Sequence, residues 1–346
     1  MLTRLFLTAL LVVCVLSQSV MANDGSLDIY FIDVEGGAAT LLVTPEGESM
    51  LIDSGYPDNN GRDRDRIIHV AKDVAGLSAI DHGVVSHWHL DHYGNHASVA
   101  AAFGIRQFWD RGIPDTLQED KDFETRIAAY RSAAQNSSHP LNAGDSIPLK
   151  SGKTPLTVKV LTSGRNVIPN NGPANPFADR NIAQDNDPSD NAASLSLLFQ
   201  FGKFRFLCCG DLTWNIEGKL MTPNNPVGSV DLFMVTHHGL PSSNNPALVL
   251  AIDPTVTVMC NGPTKGGAPQ TLATLKEIKS LQAMYQLHQN VSVPPEQQAA
   301  ADFIANTGTT DTCKGQWVKA SIAPDGSSYT IQIGPDGRKS KYQTRS

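Results

Sequence analysis

Short hydrophobic segments alternate with polar and glycine-rich segments along most of this chain. Apolar runs bounded by turn-forming residues predict strands at 27–34, 39–43, 49–52, 82–86, 105–109, 193–201, 203–208, 230–236 and 253–260. Segments with helical character predict helices at 64–74, 97–103, 120–135, 212–221 and 270–281. Because strands and helices occur in both halves of the chain, we expect two βα halves that pack as layers around one core.

Two further segments complete the predicted organisation. Residues 163–191 are almost all Asn, Pro, Gly, Asp and Ala, which predicts a long loop. Long loops often serve as lids or binding loops, and a solvated spacer is the other interpretation. Near the C-terminus, residues 316–323 and 328–333 flank a Pro-Asp-Gly turn and predict a β-hairpin.

The composition is that of an ordinary globular protein. The chain has 346 residues, of which 40% are hydrophobic and 18% are charged, which excludes collagen, coiled coil and wholesale disorder. The formal net charge is −7, and there is no cluster of Lys and Arg. We therefore expect no strong nucleic-acid-binding surface.

The first 22 residues have the features of an export signal. Arg4 precedes an apolar run over 5–16, and Val20 and Ala22 are small residues at the −3 and −1 positions of a cleavage site. The run is shorter than a membrane-spanning helix requires, although a retained anchor is the alternative. We expect a mature protein that is periplasmic or secreted, with no membrane span after removal of the signal.

Four cysteines lie beyond this signal. Cys208 and Cys209 are neighbours on a predicted strand and point to opposite faces, so they are poorly placed to pair with each other. In an oxidising compartment a Cys260–Cys313 disulfide is one interpretation. Buried free thiols are the other.

The chemistry of the sequence is concentrated between residues 86 and 92. Ser-His-Trp-His-Leu-Asp-His places three imidazoles and one carboxylate at the end of a predicted strand. Neutral imidazole and carboxylate are the ligands that Zn²⁺ and similar divalent metals take. His87 and His89 would point the same way in extended chain, and the following turn would direct Asp91 and His92 to a second point nearby.

This motif resembles the signature of the metallo-β-lactamase superfamily, and three other motifs follow that family's order. They are Leu-Ile-Asp-Ser-Gly at 51–55, Cys-Gly-Asp at 209–211 and Thr-His-His-Gly at 236–239. The resemblance implies an α/β fold, specifically a four-layer αββα sandwich with a C-terminal β-hairpin extension. It would form one domain over 23–346, with a core of about 27–290 and an extension of about 291–346.

The resemblance also implies a centre with two Zn²⁺ ions. His87 and His89 would bind the first metal, Asp91, His92 and His237 the second, and Asp211 would bridge both. Asp211 could instead be a helix N-cap residue.

Two further residues receive supporting roles from the resemblance. Asp53 would support a ligating histidine. Strand alternation would direct only one of the adjacent histidines at the metals, which leaves His238 as a supporting, substrate-contacting or merely packed residue.

One departure from the family pattern concerns the first metal. Superfamily members commonly supply a third histidine shortly before the bridging aspartate, but this interval contains Asp190, Asn191 and Ser194 instead. That pattern is similar to the ComEC-type branch, which includes the hydrolase domain of DNA-uptake channels. Asp190, Asn191 or a water molecule would complete the first site, and Asn191 and Ser194 are also candidates for substrate contact.

The resulting hypothesis is an exported dinuclear zinc hydrolase with Asp91 and Asp211 as catalytic residues. A hydroxide between the metals would attack the substrate, which the branch resemblance suggests is a phosphodiester. A lactone or β-lactam hydrolase, a mono-iron non-haem oxygenase and a non-catalytic zinc module are the alternatives. The expected partner is a small ester or phosphoester. The sequence gives no indication of the oligomeric state.

Overall fold

A computed structural model describes residues 24–57, 60–150, 152–310 and 312–345. The predicted export signal at 1–22 lies outside these residues. Within them, no helix is long and apolar enough to cross a lipid bilayer.

The first sheet has nine strands in the described part of the chain, in the order β17-β16-β15-β1-β2-β3-β4-β5-β6. Strands β3 to β6 pair in parallel, and the other neighbours are antiparallel. The strands are β1 Leu27–Phe31, β2 Thr40–Val43, β3 Ser49–Ile52, β4 Ile80–Val84, β5 Ile105–Asp110, β6 His139–Pro140, β15 Val318–Ile322, β16 Ser328–Ile333 and β17 Lys339–Gln343.

The second sheet has eight strands among the described residues, in the order β14-β13-β12-β11-β10-β9-β7-β8. Strands β10 to β14 pair in parallel. The strands are β7 Leu156–Ser163, β8 Asn166–Val167, β9 Ser196–Phe201, β10 Phe204–Cys208, β11 Leu232–Met234, β12 Val256–Met259, β13 Ala283–His288 and β14 Ile304–Asn306.

The two sheets face each other across the main hydrophobic core, and helices cover their outer faces. Inward residues of both sheets, such as Phe31 and Phe206, pack in this core. Helices α1 Arg62–His69, α3 His96–Ala102 and α4 Phe123–Ala133 cover the first sheet. Helices α5 Trp214–Met221, α6 Pro246–Ile252 and α7 Pro269–Lys276 cover the second. The predicted four-layer αββα sandwich is confirmed.

The predicted C-terminal hairpin is present as β15 and β16. It does not stand apart from the sandwich, because β15 pairs with β1 over five residues and β16 pairs with β17. The C-terminal strands therefore extend the first sheet and contribute Val318, Ala320 and Ile322 to the main core.

Some elements differ from the sequence-based expectation. The helix predicted at 64–74 ends as α-helix at His69 and continues as a π-helical turn, Val70–Val74. Strands β7 and β13 lay outside the predicted set. The predicted loop at 163–191 contains β8 and a short 3₁₀ turn at Ala178–Arg180, and a second 3₁₀ turn, Asp190–Ala193, begins at its end.

Candidate metal centre

Four strand ends bring the sequence motifs together. Asp53 follows β3, the histidine cluster follows β4, Asp211 follows β10, and His237 and His238 follow β11. In parallel sheets the carboxyl ends of neighbouring strands lie at the same edge. The histidine cluster continues into α2 (Leu90–Tyr93), which presents Asp91 and His92 on its first turns.

Four side chains at this edge form a compact group of possible metal ligands: Asp91, His92, Asp211 and His238. His92 Nε2 lies 3.2 Å from Asp211 Oδ2, 3.4 Å from Asp91 Oδ2 and 3.2 Å from His238 Nε2. His238 Nε2 lies 3.2 Å from Asp91 Oδ2 and 3.4 Å from Asp211 Oδ2. With metal–ligand bonds of about 2.0–2.1 Å, a tetrahedral site has ligand separations of about 3.3 Å, so these spacings fit such a site.

Hydrogen bonds from the opposite ring nitrogens fix the two histidines in this orientation. His92 Nδ1 contacts Asp53 Oδ2 at 2.8 Å, and His238 Nδ1 contacts the Cys260 carbonyl at 2.8 Å. Metal-binding histidines usually have such a partner, because it fixes the tautomer and leaves the other nitrogen free for the metal. Asp53 thus contacts one of the two histidines in the group of four. It also accepts hydrogen bonds from Ser86 N and Oγ, at 2.8 and 2.7 Å.

The adjacent histidines differ from the expected arrangement. His238, which was expected to have a supporting role, lies in the group of four, whereas His237 lies outside it. His237 Nε2 is 3.5 Å from Asp211 Oδ2 and 3.3 Å from Asn191 Nδ2. Both residues have positive φ, at 55° and 54°, so the alternation of an extended strand does not apply to them. Both rings consequently reach Asp211.

His87 lies on the Asp211 side of the centre and is fully buried. Its Nε2 is 3.9 Å from Asp211 Oδ2 and has no hydrogen-bond partner among the described residues. Burial, together with the neighbouring His92, holds the pKa of His87 well below its usual value. The ring is therefore neutral, and its free nitrogen is available to a metal ion.

His89 lies next to His87 but has a different partner. The two ring centroids are 4.8 Å apart, and His89 Nε2 contacts Glu119 Oε1 at 3.1 Å. Glu119 also accepts a hydrogen bond from Asp190 N at 2.6 Å. If His89 Nε2 bound a metal, its contact with Glu119 Oε1 would have to break.

The three residues considered in place of the missing histidine have distinct surroundings. Asp190 accepts a hydrogen bond from Trp88 N at 2.6 Å and forms an ion pair with Arg111, which engages both carboxylate oxygens. Asn191 contacts His237, and its Oδ1 is buried with no hydrogen-bond partner in the described part of the chain. Ser194 Oγ accepts from Asp211 N at 3.2 Å and so positions the backbone of Asp211.

Lys265 is a functional candidate that sequence reasoning missed. Its ammonium forms an ion pair with Asp91 Oδ2 and lies 3.4 Å from the Tyr56 hydroxyl. Burial would lower the pKa of Lys265, but Asp91 and Asp211 outweigh this effect and raise it. No local motif marks Lys265, which lies in a glycine-containing loop after β12. Glu119 was missed for the same reason.

The buried carboxylates of the group of four favour positive charge next to them. Burial disfavours a charged imidazole, but the carboxylates of Asp211, Asp91 and Asp53 outweigh it and raise the pKa of His92 well above its usual value. Burial likewise disfavours a charged carboxylate, yet neighbouring histidines and Lys265 hold the pKa of Asp91 well below its usual value. Divalent metal ions bind donor atoms of these types. The centre offers two buried carboxylates, inward-facing imidazole nitrogens and the unpartnered His87 Nε2.

Comparison with known proteins agrees with this geometry. Residues 32–173 match the sequence model of the Metallo-beta-lactamase superfamily. The matching segment contains Asp53 and the histidine cluster, and the chain has the corresponding two-sheet fold. The family match and the two-sheet architecture are consistent with a metallo-β-lactamase fold, and the ligand group is consistent with metal binding. A comparison with curated proteins gave no significant match.

Solved structures with a similar fold include two of CmlA and one of a diphosphatase. A mutant of the β-hydroxylase CmlA has a TM-score of 0.43 and 14% identity, covering 75% of this chain and 52% of that chain. CmlA from Streptomyces venezuelae, a diiron β-hydroxylase, has a TM-score of 0.38 and 15% identity, covering 73% and 47%. A diphosphatase from the PhnP family has a TM-score of 0.36 and 10% identity, covering 78% and 90%. The chain thus spans about half the length of the CmlA chains.

Proposed function

We propose that this protein is a dinuclear zinc hydrolase that acts on a small phosphodiester. The observation that carries the proposal is the group formed by Asp91, His92, Asp211 and His238. The distances from His92 Nε2 and His238 Nε2 to each other and to the two carboxylates are 3.2–3.4 Å, which suits one tetrahedrally coordinated metal. A site of four protein ligands differs from the open three-ligand triad of a mono-iron oxygenase. We therefore favour the hydrolase over that alternative.

The proposed ligands divide between two metals that share Asp211. The second metal has the group of four described above. The first metal has His87, His89 and Asp211, and we assign His237 as its third histidine. His237 Nδ1 lies 3.1 Å from both Ser242 Oγ and Ser243 Oγ, which fixes the ring, while Nε2 faces Asp211. The adjacent histidines would thus serve different metals, and His237 would replace the histidine that the family pattern usually supplies earlier in the chain.

The bound metals would supply a water of lowered pKa and polarise the substrate oxygen. The protein side chains hold the reacting groups in place. Asp211 is itself positioned by the Ser194 hydroxyl on its backbone N–H. Lys265 and Tyr56 place a cation and a hydroxyl next to Asp91, where they can bind an anionic substrate oxygen and stabilise charge that develops on it.

Two features support a small anionic substrate. A cavity of about 230 Å³ is lined in part by Glu119, Arg111 and Arg165, and Glu119 also contacts His89, so the cavity adjoins the metal centre. Its volume is below the usual range for drug-sized ligands. The net charge of −7 disfavours tight binding of a long polyanion.

We also propose that the protein belongs to the ComEC-type branch and that it is exported. The Asp190–Ser194 segment and the His-His-Gly motif support the branch, which is associated with phosphodiester chemistry. The basic Arg4, the apolar run over 5–16 and the small residues Val20 and Ala22 support export. Peptide mass spectrometry of the N-terminus after expression with the natural leader tests export directly, because cleavage after Ala22 is expected.

Metal analysis of purified residues 23–346 tests the centre. We expect the candidate metal centre to hold two zinc ions per chain. A mild chelator should remove one of these two ions first, and activity should fall with that loss. His238→Ala should lose the second metal and His237→Ala should weaken the first. His69→Ala is the matched control, because His69 is exposed and pairs with Asp73. One iron per chain, or a metal-free and fully active enzyme, would contradict the proposal.

A panel of chromogenic substrates, with and without chelator, tests the reaction class. We expect hydrolysis of phosphodiesters that chelator abolishes and zinc restores. Preferential hydrolysis of lactones or β-lactams would refute the substrate class while leaving the metal assignment intact. Two bound zinc ions without turnover of any ester would identify a non-catalytic module.

A further inference from the structure

A second group of metal-binding residue types lies outside the candidate metal centre. Asp33, His288 and Cys313 direct Oδ2, Nε2 and Sγ toward one another. From this geometry we infer that the three residues form a separate binding site for one divalent cation of the Zn²⁺ type. The inference is independent of the proposed hydrolytic function.

The distances fit a shared cation. Cys313 Sγ lies 3.1 Å from Asp33 Oδ2 and 3.3 Å from His288 Nε2, and the latter two atoms are 4.0 Å apart. Tetrahedral Zn²⁺ with bonds of about 2.3 Å to sulfur and 2.0 Å to nitrogen and oxygen separates its ligands by about 3.3–3.5 Å. Small side-chain adjustments would bring all three atoms to these separations, with a water molecule as the fourth ligand.

Two of the three atoms direct lone pairs toward the group. His288 Nδ1–H donates to the Gln289 carbonyl at 3.2 Å, so Nε2 presents a lone pair. Asp33 Oδ2 is also an acceptor, and it already accepts from Arg66 Nη1 at 3.2 Å. In the described part of the chain, the Cys313 thiol faces both Asp33 Oδ2 and His288 Nε2. Cys313 Sγ itself accepts from Gly315 N–H at 3.3 Å. A carbonyl partner on the far nitrogen and a backbone N–H on sulfur are the contacts that orient metal ligands.

The charges around the group favour a divalent cation. Arg66 pairs with Asp33 and Glu35, at 3.2 and 2.9 Å, and Arg62 pairs with Glu35 and Asp63, at 2.8 and 2.6 Å. Three carboxylates against two guanidinium groups leave one negative charge. A Cys313 thiolate, which would form when a cation displaces the thiol proton, would add a second. Arg66 therefore balances part of the acidic charge, and a divalent ion would balance the remainder.

The position of the group suggests a bracing role. Asp33 follows β1 of the first sheet, His288 ends β13 of the second, and Cys313 lies between β14 and β15. A cation here would cross-link both sheets and the chain that connects them. The loop after Asp33 also reaches the candidate metal centre, because Ala38 N–H donates to the Asp91 carbonyl at 3.0 Å.

Cobalt substitution tests this site specifically. Co²⁺ bound to a thiolate gives a near-ultraviolet sulfur-to-cobalt charge-transfer band, whereas the proposed ligands of the candidate metal centre contain no sulfur. We expect Co²⁺ to produce this band in residues 23–346 and Zn²⁺ to abolish it. Cys313→Ser should eliminate the band and one equivalent of bound metal. Cys260→Ala is the matched control, because Cys260 is buried between the sheets and should leave the band unchanged.

Further variants separate metal binding from folding. Asp211→Asn should retain the band, because it affects only the candidate metal centre, and His288→Gln should weaken it while the protein remains folded by circular dichroism. Zinc should raise the Tm of Asp211→Asn but not of the Cys313→Ser, Asp211→Asn double variant. Absence of the band at saturating Co²⁺, its persistence in Cys313→Ser, or a Cys260–Cys313 disulfide in the purified protein would overturn the inference.

Discussion

The Lys265 ammonium contacts the same oxygen of Asp91, Oδ2, that belongs to the group of four proposed ligands. A protein cation thus occupies one edge of the site that we assign to the second metal. Because Asp91 and Asp211 are buried and anionic, Lys265 stabilises them when no metal is bound. The metal must compete with it for Asp91.

Replacement of Lys265 by methionine should therefore strengthen binding of the second metal. The change keeps much of the apolar stem but removes the competing charge, and a charged hydrogen bond contributes about 1.5–3 kcal/mol. Allowing for partial exposure of Lys265, we expect about a tenfold lower Kd in calorimetric zinc titrations, or about 1.4 kcal/mol. The exposed Lys276→Met is the control. An unchanged or weaker zinc affinity in Lys265→Met would contradict the competition.

Asp211→Asn should abolish most activity. The substitution keeps the side-chain size and one acceptor oxygen but removes the charge that both proposed sites share. We expect kcat to fall by orders of magnitude and metal content to decrease. The fold should persist, because the N-cap of α5 is Thr213 and not Asp211, and the backbone N–H of residue 211 can still donate to Ser194 Oγ. Paired measurements of turnover and bound metal check this result, and near wild-type turnover would disprove the bridging assignment.

The strand-end motifs made much of this centre predictable. Asp53, the histidine cluster and Asp211 each follow a buried strand, and parallel pairing brings such ends to one edge of a sheet. The layered fold followed from the distribution of strands and helices. Strand β7 should also have been predictable, because Leu156, Val158 and Val160 alternate with exposed residues.

The positions of the His237 and His238 rings relative to Asp211 were not predictable by strand alternation. Strand β11 ends at Met234, and both histidines adopt left-handed backbone conformations. Close approach of Gly266 to His238 also defines this turn, since a Cβ at Gly266 would lie 2.1 Å from the His238 carbonyl. These contacts join residues distant in sequence. The pairings of Lys265 with Asp91 and Glu119 with His89 are equally long-range, and no spacing rule reveals them.

Asp190 and Asn191 should respond differently to alanine substitution. Asp190→Ala leaves the half-buried Arg111 guanidinium without its partner, so we expect a loss of about 3 kcal/mol in unfolding free energy with metal content retained. Asn191→Ala removes the neighbour of His237 and should lower the affinity of the first metal with a smaller loss of stability. Urea unfolding and metal analysis distinguish the two outcomes. Loss of the first metal in Asp190→Ala would instead identify Asp190 as its missing ligand.

Glu217 should make the stability of the protein fall as the pH rises. This residue of α5 is fully buried, accepts a hydrogen bond from Asn245 N at 2.7 Å, and has no hydrogen-bond partner for Oε1 among the described residues. Burial raises its pKa from 4.5 to about 8. Between these values the unfolded chain releases the proton while the folded protein retains it. The stabilising contribution is therefore complete below pH 4.5 and is lost as the pH rises to about 8.

Glu217→Gln tests this dependence because it keeps an acceptor for Asn245 but cannot ionise. Urea unfolding of both proteins between pH 5 and 8 measures this. The free energy of unfolding of the variant, relative to that of the wild type, should increase by at most about 1.4 kcal/mol per pH unit, because the other titrating groups are common to both proteins. Asp179→Asn provides an exposed control. Parallel stability curves for Glu217→Gln and the wild type would show that Glu217 is already ionised in the folded protein.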